Sequence, residues 1–459
     1  MNPSSQIKKT DILVGLDIGT TKICVIVAKK VGNKKIEILA KGQVVSRGVE
    51  KGEVKNILLA SEDIREAVRL AEQKSGFKIK KVFVGIAGAH IKSSVMRLGI
   101  TRAVNEVDTL INKNDISKLE IQAKNLQVNP GEVIISCQPQ EFFVDGISPK
   151  NNNPIGMRGN RLEANWHIII GNTNPSKNIE MAVEMAGLEI LTMDLEPLAS
   201  AESVLTEEAI NEGVCLIDIG GGTTDMAIFY GGVIRHTAIF PFAGEYITAF
   251  IRDKLKLTER TSTLLKENKS YTSALYKHIP ENKILSIKNI AGLPPVEIEQ
   301  RKYCHLINSC LEQIFSLVKN EIQSTYFKNQ LNAGIFITGG GANIPDLQKF
   351  VEQYIGIPTQ IGRPIHYVSN NQDVTLHDTR YATAVGLVLL AAKSANESMI
   401  EVEIEAPIKI EAETPLKTIN VIVETPQPKK SKLNWAFNLK EKFNSMILDE
   451  QNYKEFEQD

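Results

Sequence analysis

Cysteine and tryptophan are scarce in this chain, with five Cys and two Trp in 459 residues. The thiols Cys24, Cys137, Cys215, Cys304 and Cys310 are odd in number, widely spaced and without a C-x-x-C pair, which argues against a disulfide framework. Three of them lie in or beside apolar segments and read as buried thiols. Cys304, His305 and Cys310 form the one local cluster of metal-ligand types, but no second ligand pair accompanies them, so the spacing is not that of a zinc site. No run of 18 apolar residues exists, which excludes a membrane-spanning helix by length. The opening residues, MNPSSQIKKTDILVGL, run straight into a short strand and not into an apolar signal core. No sign of charge dominates either: 53 Lys and Arg face 54 Asp and Glu, and this balance argues against a nucleic-acid-binding surface spread over the molecule. The expectation is a cytoplasmic protein with no nucleic-acid partner.

At 459 residues the chain is long for a single core, so two or more domains are expected. What it does contain is a pair of look-alike turns, VGLDIGTTK at Val14 to Lys22 and LIDIGGGTTD at Leu216 to Asp225. Each ends an apolar run on an Asp and follows it with glycines and hydroxyl residues. Glycine lets the backbone bend sharply and bring its N–H groups close to an anion. Thr20, Thr21, Thr223 and Thr224 add hydroxyl donors, and Lys22 adds a point charge suited to a phosphate. Asp17 and Asp218 would repel bare phosphate, so their position argues for a bridging cation. Mg²⁺ fits, because it keeps waters that carboxylates can hold. An ordinary β-turn would explain either motif alone, but the repeat favours two loops closing on one nucleotide.

Around these turns the pattern is α/β. Ile12 to Ala28 reads as a hairpin, Ile36 to Gln43 as a third strand, Glu50 to Lys74 as a helix, and Val82 to Ala87 as a strand. From Gly88 to Trp166 the rhythm breaks into an inserted small subdomain, with a polar helix at Asp115 to Leu126 and strands at Val133 to Ser136 and Phe142 to Val144. Glu180 to Ala186 reads as a helix closed by Gly187, and AESVLTEEAI as the helix before the second turn. Thr258 to Pro280 is charged and polar, and Glu299 to Phe327 is amphipathic. A third glycine turn spans Ile335 to Pro345, and Arg380 to Ala392 is a helix of small residues. Glu401 to Pro428, rich in Glu, Thr, Lys and Pro, reads as a flexible linker.

Taken in order, VGLDIGTTKI, SRGVEKGEV, PIGMRGNRLEANWHI, LEPLASAESVLTEE, GVCLIDIGGGTTDMAIFYGGVIRHTAIFPFAGEYIT and FITGGGANIPDLQKFVEQYIGIPTQIGRP resemble the actin-like ATPases and, within them, the FtsA family of bacterial division proteins. The likeness spans residues 12–392. It implies an actin-like fold of duplicated ribonuclease H-like halves with a small α+β insert. The subdomains would be 1A (1–87, 167–205 and 376–396), 1C (88–166), 2A (206–240 and 332–375) and 2B (241–331), followed by a linker (397–428). By matching motif, ATP phosphates would face Asp17, Gly19, Thr20, Thr21 and Lys22 on one side and Asp218, Gly220, Gly221, Gly222, Thr223 and Thr224 on the other. Mg²⁺ would be held through water by Asp17 and Asp218. Gly339, Gly340, Gly341 and Asn343 would lie along the adenosine. Glu196 stands where relatives orient the attacking water; its bland alternative is a carboxylate stabilised by a helix N-terminus. The family's ribose-contacting A-E-x-x-K is replaced here by TERTSTLLKENK, in which Lys266 survives and the acidic partner is missing.

Beyond the linker, KKSKLNWAFNLKEKFNSMIL (429–448) plotted at 100° per residue gathers Leu433, Trp435, Phe437, Leu439, Phe443, Met446 and Ile447 in one broad arc, interrupted by Lys440 and Asn444, opposite Asn434, Asn438, Glu441, Lys442 and Ser445. Aromatics on one face with lysines beside them describe a helix lying in a membrane interface and attracted to anionic lipid. A helix docked on protein is the alternative. The acidic stretch DEQNYKEFEQD (449–459) should weaken the attraction. The resemblance implies a protein that polymerises, tethers the FtsZ C-terminal tail through the 2B region to the cytoplasmic face of the membrane at the division site, recruits later division proteins, and hydrolyses ATP slowly at most. The runners-up are an actin-like pilus-assembly ATPase and a small-molecule kinase of the same superfold.

Overall fold

The computed structural model describes residues 12–32, 35–102, 110–272, 279–280, 283–288, 293–369, 374–397 and 447–448. The chain forms two compact units, one of residues 1–246 with 311–406, the other of 247–310 with 407–459.

The first unit contains the same five-stranded sheet twice. In the first copy β1 (Ile12–Ile18), β2 (Lys22–Val31) and β3 (Lys35–Val45) are antiparallel neighbours, and β6 (Lys81–Ile86) and β10 (Glu189–Leu195) extend the sheet in parallel beyond β1. In the second, β11 (Val214–Ile219), β12 (Thr224–Tyr230) and β13 (Val233–Phe240) repeat the antiparallel part, and β16 (Ile335–Thr338) and β17 (Thr359–Ile361) repeat the parallel part. β1 and β11 are buried at every position, as strands covered on both faces must be, and this is why their sequences run apolar without alternation.

Helices cover both faces. α1 (Ile57–Ser75) lays Ala60, Ile64, Ala67, Val68 and Ala71 on the first sheet. It starts later than the expected Glu50: Val49–Glu50 (β4) and Glu53–Val54 (β5) instead form a small hairpin, and the Asn56 side chain accepts from Leu59 N–H to cap the helix. Gly42 of β3 permits its close approach, since a Cβ there would sit 1.9 Å from the Ala67 carbonyl oxygen. α3 (Thr173–Met185) precedes β10. α4 (Glu196–Val204) begins ahead of the expected AESV, with Pro197 in its first turn, and α5 (Glu207–Glu212) restarts after Leu205 with Thr206 as cap. The small-residue helix (Ala382–Glu397) runs past its expected end at Ala392 and packs on α4 and β1.

The insert is an independent three-stranded sheet ordered β7 (Lys92–Thr101), β9 (Arg161–Asn172), β8 (Glu132–Val144). The two strands expected at Val133 to Ser136 and Phe142 to Val144 are one strand with two bulges. α2 (Lys113–Lys124) closes its core of Leu119, Ala123, Phe142, Leu162, Ala164 and Trp166. The MRGN loop is structural: Asp145 accepts from the N–H groups of Asn160 and Arg161, and Gly159 lies where a Cβ would meet Val144 Cγ1 at 2.3 Å. The insert docks on edge strand β13, with Ser93 Oγ donating to the Thr237 carbonyl, Gln140 Nε2 to that of Ile234, and Arg235 paired with Glu141.

In the second unit, a helix over Glu259–Lys269 occupies the polar stretch and is capped by Thr258. β14 (Ile284–Ile287) and β15 (Val296–Glu299) form a hairpin there, and the helix Gln300–Ser324, whose residues up to Cys310 belong to this unit, follows the amphipathic pattern. Cys304 and Cys310 lie buried on that helix, where desolvation pushes their thiols up to about 11 and about 12. Of the tail helix expected over 429–448, the described part is Ile447–Leu448, which is extended and pairs antiparallel with Ser286 and Ile287. Leu433, Trp435, Phe437, Leu439, Phe443 and Met446 lie outside the described residues.

Candidate functional site: two glycine turns on one cleft

Both glycine turns are closed by the same bond: Gly19 N–H donates to the Lys22 carbonyl at 3.0 Å, and Gly220 N–H to the Thr223 carbonyl at 2.9 Å. The equivalence follows from strand register, because each turn joins the first two strands of its sheet. The turns meet face to face. A Cβ on Gly221 would fall 2.4 Å from Thr21 Cγ2, and one on Gly222 would fall 2.4 Å from Thr20 Oγ1. Glycine is therefore required at both positions by the approach of the opposite turn.

The cleft between them has a cavity volume of about 60 Å³, room for several waters at roughly 10–15 Å³ each on that measure. Asp17, Gly19, Thr20, Thr21 and Lys22 line it from the first half, and Asp218, Gly220 and Thr223 from the second. Glu196 enters at the head of α4, and Gly339 and Gly340 at the third glycine turn. Gly85 makes space for Glu196, whose Cγ lies 2.9 Å from where a Gly85 Cβ would be. Gly339 has φ +84°, and a Cβ there would meet Asp218 Oδ1 at 2.2 Å, so only glycine brings the third turn this close.

Other expected residues are not among those that line the cleft. Thr224 is fully buried and its hydroxyl donates to the Phe242 carbonyl. A Cβ on Gly341 would press on Ile219, and Asn343 Nδ2 donates to Asp378 Oδ1 at 3.0 Å. Lys266 belongs to the second unit, where its ammonium donates to Thr248 Oγ1 at 3.0 Å. Four lining residues were not singled out from sequence: Gly52, Asp225, Arg380 and Thr383. Asp225 had a signal, since it closes the TTD of the second motif and strand alternation puts it opposite Asp218.

The electrostatics are those of crowded carboxylates. Lys22 Nζ bonds Asp17 Oδ2 at 2.5 Å, and although burial works against its charge, the Asp17 carboxylate holds the ammonium's pKa above its usual value. Burial, then Asp17, Asp225 and Asp218, keep the Glu196 carboxyl well above the carboxylate range, against the pull of Lys22. Burial and then Asp218 do the same to Asp225, whose Oδ1 has no hydrogen-bond partner among the described residues. Asp218 is raised by burial, opposed by its bonds from Ser200 Oγ (2.6 Å) and Thr383 Oγ1 (3.3 Å). Hydroxyls, glycine N–H groups and Lys22 form a donor set for phosphate, and the surplus of carboxylates over cations suits a cation beside it. Among the described residues no three His, Cys, Asp or Glu side chains converge to ligate a metal directly.

Comparison with known proteins accounts for both the halves and the insert. The family model "Cell division protein FtsA" matches residues 215–386, and that of the SHS2 domain inserted in FtsA matches residues 88–170. The cell division protein FtsA of Pseudomonas aeruginosa is 33% identical over 395 residues, covering 86% of this chain and 93% of that one. The FtsA of Borreliella burgdorferi is 34% identical over 382 residues (83% and 90%), and that of Escherichia coli K12 30% over 410 (86% and 94%). Among solved structures, the PilM–PilN type IV pilus biogenesis complex superposes with TM-score 0.59 at 14% identity, covering 83% of this chain and 98% of that one. MreB5 of Spiroplasma citri bound to ADP superposes with TM-score 0.51 at 14% identity (85% and 100%). At such identity the structures speak for the fold, which is that of the actin-like ATPases. With relatives this similar over more than four-fifths of its length, the chain belongs to the FtsA family of cell division proteins.

Proposed function

We propose that this protein binds ATP with Mg²⁺ between its two glycine turns, assembles into actin-like polymers, and anchors the FtsZ ring to the cytoplasmic face of the membrane through the helix at 429–448, where it recruits later division proteins. The carrying observation is the pair of turns closed by identical bonds and pressed together over buried carboxylates. Lys22, Thr20, Thr21 and Thr223 would hold phosphate oxygens, and Asp17 and Asp218 would hold Mg²⁺ through water. The ion would supply charge neutralisation on the phosphates. The ADP in the MreB5 structure gives the ligand class to test first.

The two turns stand on different sheets of the duplicated fold, and a nucleotide gripped by both would couple their spacing to its binding; this favours a switch that opens and closes with nucleotide. Glu196 would orient water, its carboxyl pKa raised above the ordinary range by burial and by Asp17, Asp225 and Asp218. Hydrolysis would be slow at most and secondary to the switch. Among the described residues no helix is long and apolar enough to cross a membrane, and the tether reading rests on the aromatic and lysine pattern of 429–448. Liposome co-sedimentation tests it. Full-length protein should pellet with anionic vesicles, and a chain ending at Glu424 should stay in solution while still binding ATP; a truncated chain that pellets equally contradicts the tether.

A further inference from the structure

The motif SRGVEKGEV belongs to neither glycine turn, yet the tip of its hairpin stands against both. Lys51 and Gly52 have φ of 49° and 76°, the two left-handed residues of a type I′ hairpin turn. Lysine is disfavoured there by its own Cβ, so something beyond local preference holds the tip.

Contacts with three neighbours do so. Gly52 N–H donates to Thr20 Oγ1 at 2.9 Å. A Cβ on Gly222 would fall 2.7 Å from Lys51 Cα, so the second glycine turn lies flat on the tip. A Cβ on Gly52 would meet Gly88 N at 3.2 Å and Thr223 Cγ2 at 3.3 Å, and one on Gly88 would meet Glu53 Cγ at 3.0 Å. Gly88 is the first residue of the inserted domain. One tip therefore touches the first phosphate turn, the second phosphate turn and the root of the insert. The hydroxyl of Thr20 accepts from Gly52 and keeps its own proton to donate into the cleft, so the hairpin also orients that donor.

We propose that the Lys51–Gly52 tip reads the state of the nucleotide cleft and passes it to the inserted subdomain. The inference rests on the nucleotide reading above. The tip belongs to the first half, and the second half leans on it through Gly222 and Thr223. Any change in the spacing of the turns as phosphates bind between them alters that load, and the contacts to Thr20 and to Gly88 readjust. Lys51, Gly52 and Glu53 are positioning residues, acting through Thr20 and Gly88.

Hydrogen exchange of the full chain, with and without Mg–ATP, tests this in wild type, Glu53→Ala and Glu53→Gln. Wild type should change exchange at both glycine turns and in residues 88–102. Glu53→Ala, which removes the side chain packed at Gly88, should bind ATP as wild type does but lose the response in 88–102 by about fivefold or more, the lower end of ordinary allosteric coupling. Glu53→Gln keeps the packing atoms and should restore it. If Glu53→Ala does not fold, Gly52→Ala serves, read as the ratio of the insert response to the glycine-turn response, which should fall. A full-sized insert response in a folded variant overturns the proposal, as does a wild type that binds ATP without any insert response. A wild type with no change at the glycine turns defeats the nucleotide reading itself, and the two failures are thereby told apart.

Discussion

Asp218 and Asp225 are directly opposed across the β11–β12 ladder, two buried carboxyls on neighbouring strands at the mouth of the second glycine turn. Like charges so placed cannot both ionise cheaply without a cation. The first half has Cys24 at the equivalent place, opposite Asp17, and sets Lys22 against Asp17 instead. The duplicated fold therefore sets an ammonium against the carboxylate of its first turn and leaves two facing carboxyls at its second.

The raised Asp225 pKa has a definite consequence for stability. A carboxyl whose pKa rises on folding contributes fully below its unfolded value, and that contribution is lost as pH rises through the folded value. Asp225→Asn removes the penalty. The variant should melt higher than wild type at about pH 8 without Mg²⁺, and the gap should close as pH falls toward the ordinary carboxylate range near 4. A difference in melting temperature independent of pH contradicts this.

Gly386 marks the tightest helix crossing: a Cβ there would fall 1.7 Å from the Ala199 carbonyl oxygen. Because a backbone atom cannot yield as a flexible side chain can, Gly386→Ala should cost about 3 kcal/mol in urea unfolding, the upper range for overpacking. A cost below about 0.5 kcal/mol, the level of ordinary surface substitutions, would mean that the helices are not so closely packed.

The glycine turns were legible in the sequence because their chemistry is local: an apolar run, an Asp, then residues able to bend and donate. The halves were legible as repeats. Residues brought from afar were not. Thr383 reaches Asp218 across 165 positions, and Gly52 reaches Thr20 across 32; no local spacing announces either. The start of α1 was misplaced at Glu50 because the residues ahead of Ile57 pair as a hairpin, Val49 with Val54 and Glu50 with Glu53. The start of α4 at Glu196 was hidden by the apolar Leu191 to Ala201 run, which is half strand and half helix.

His167 is buried where the insert meets β13, with Nε2 3.1 Å from Thr237 Oγ1 and Nδ1 lacking a partner among the described residues. Burial, then His236, lowers its pKa to about 4. Its contribution is present above the unfolded imidazole value and lost as pH falls through the folded one. Against a reference near 6.5 this amounts to on the order of 3 kcal/mol. His167→Gln should flatten the decline of stability between about pH 6.5 and pH 4; an unchanged acid limb in denaturant titrations contradicts the assignment.

The most direct test of the Mg-nucleotide cleft is calorimetric titration of ATP into wild type and Asp218→Asn, each with and without Mg²⁺. Mg²⁺ should tighten ATP binding to wild type by about tenfold or more, a difference of about 1.4 kcal/mol, and should have little effect on Asp218→Asn. Equal Mg²⁺ enhancement in both proteins would contradict a cation held at the second glycine turn.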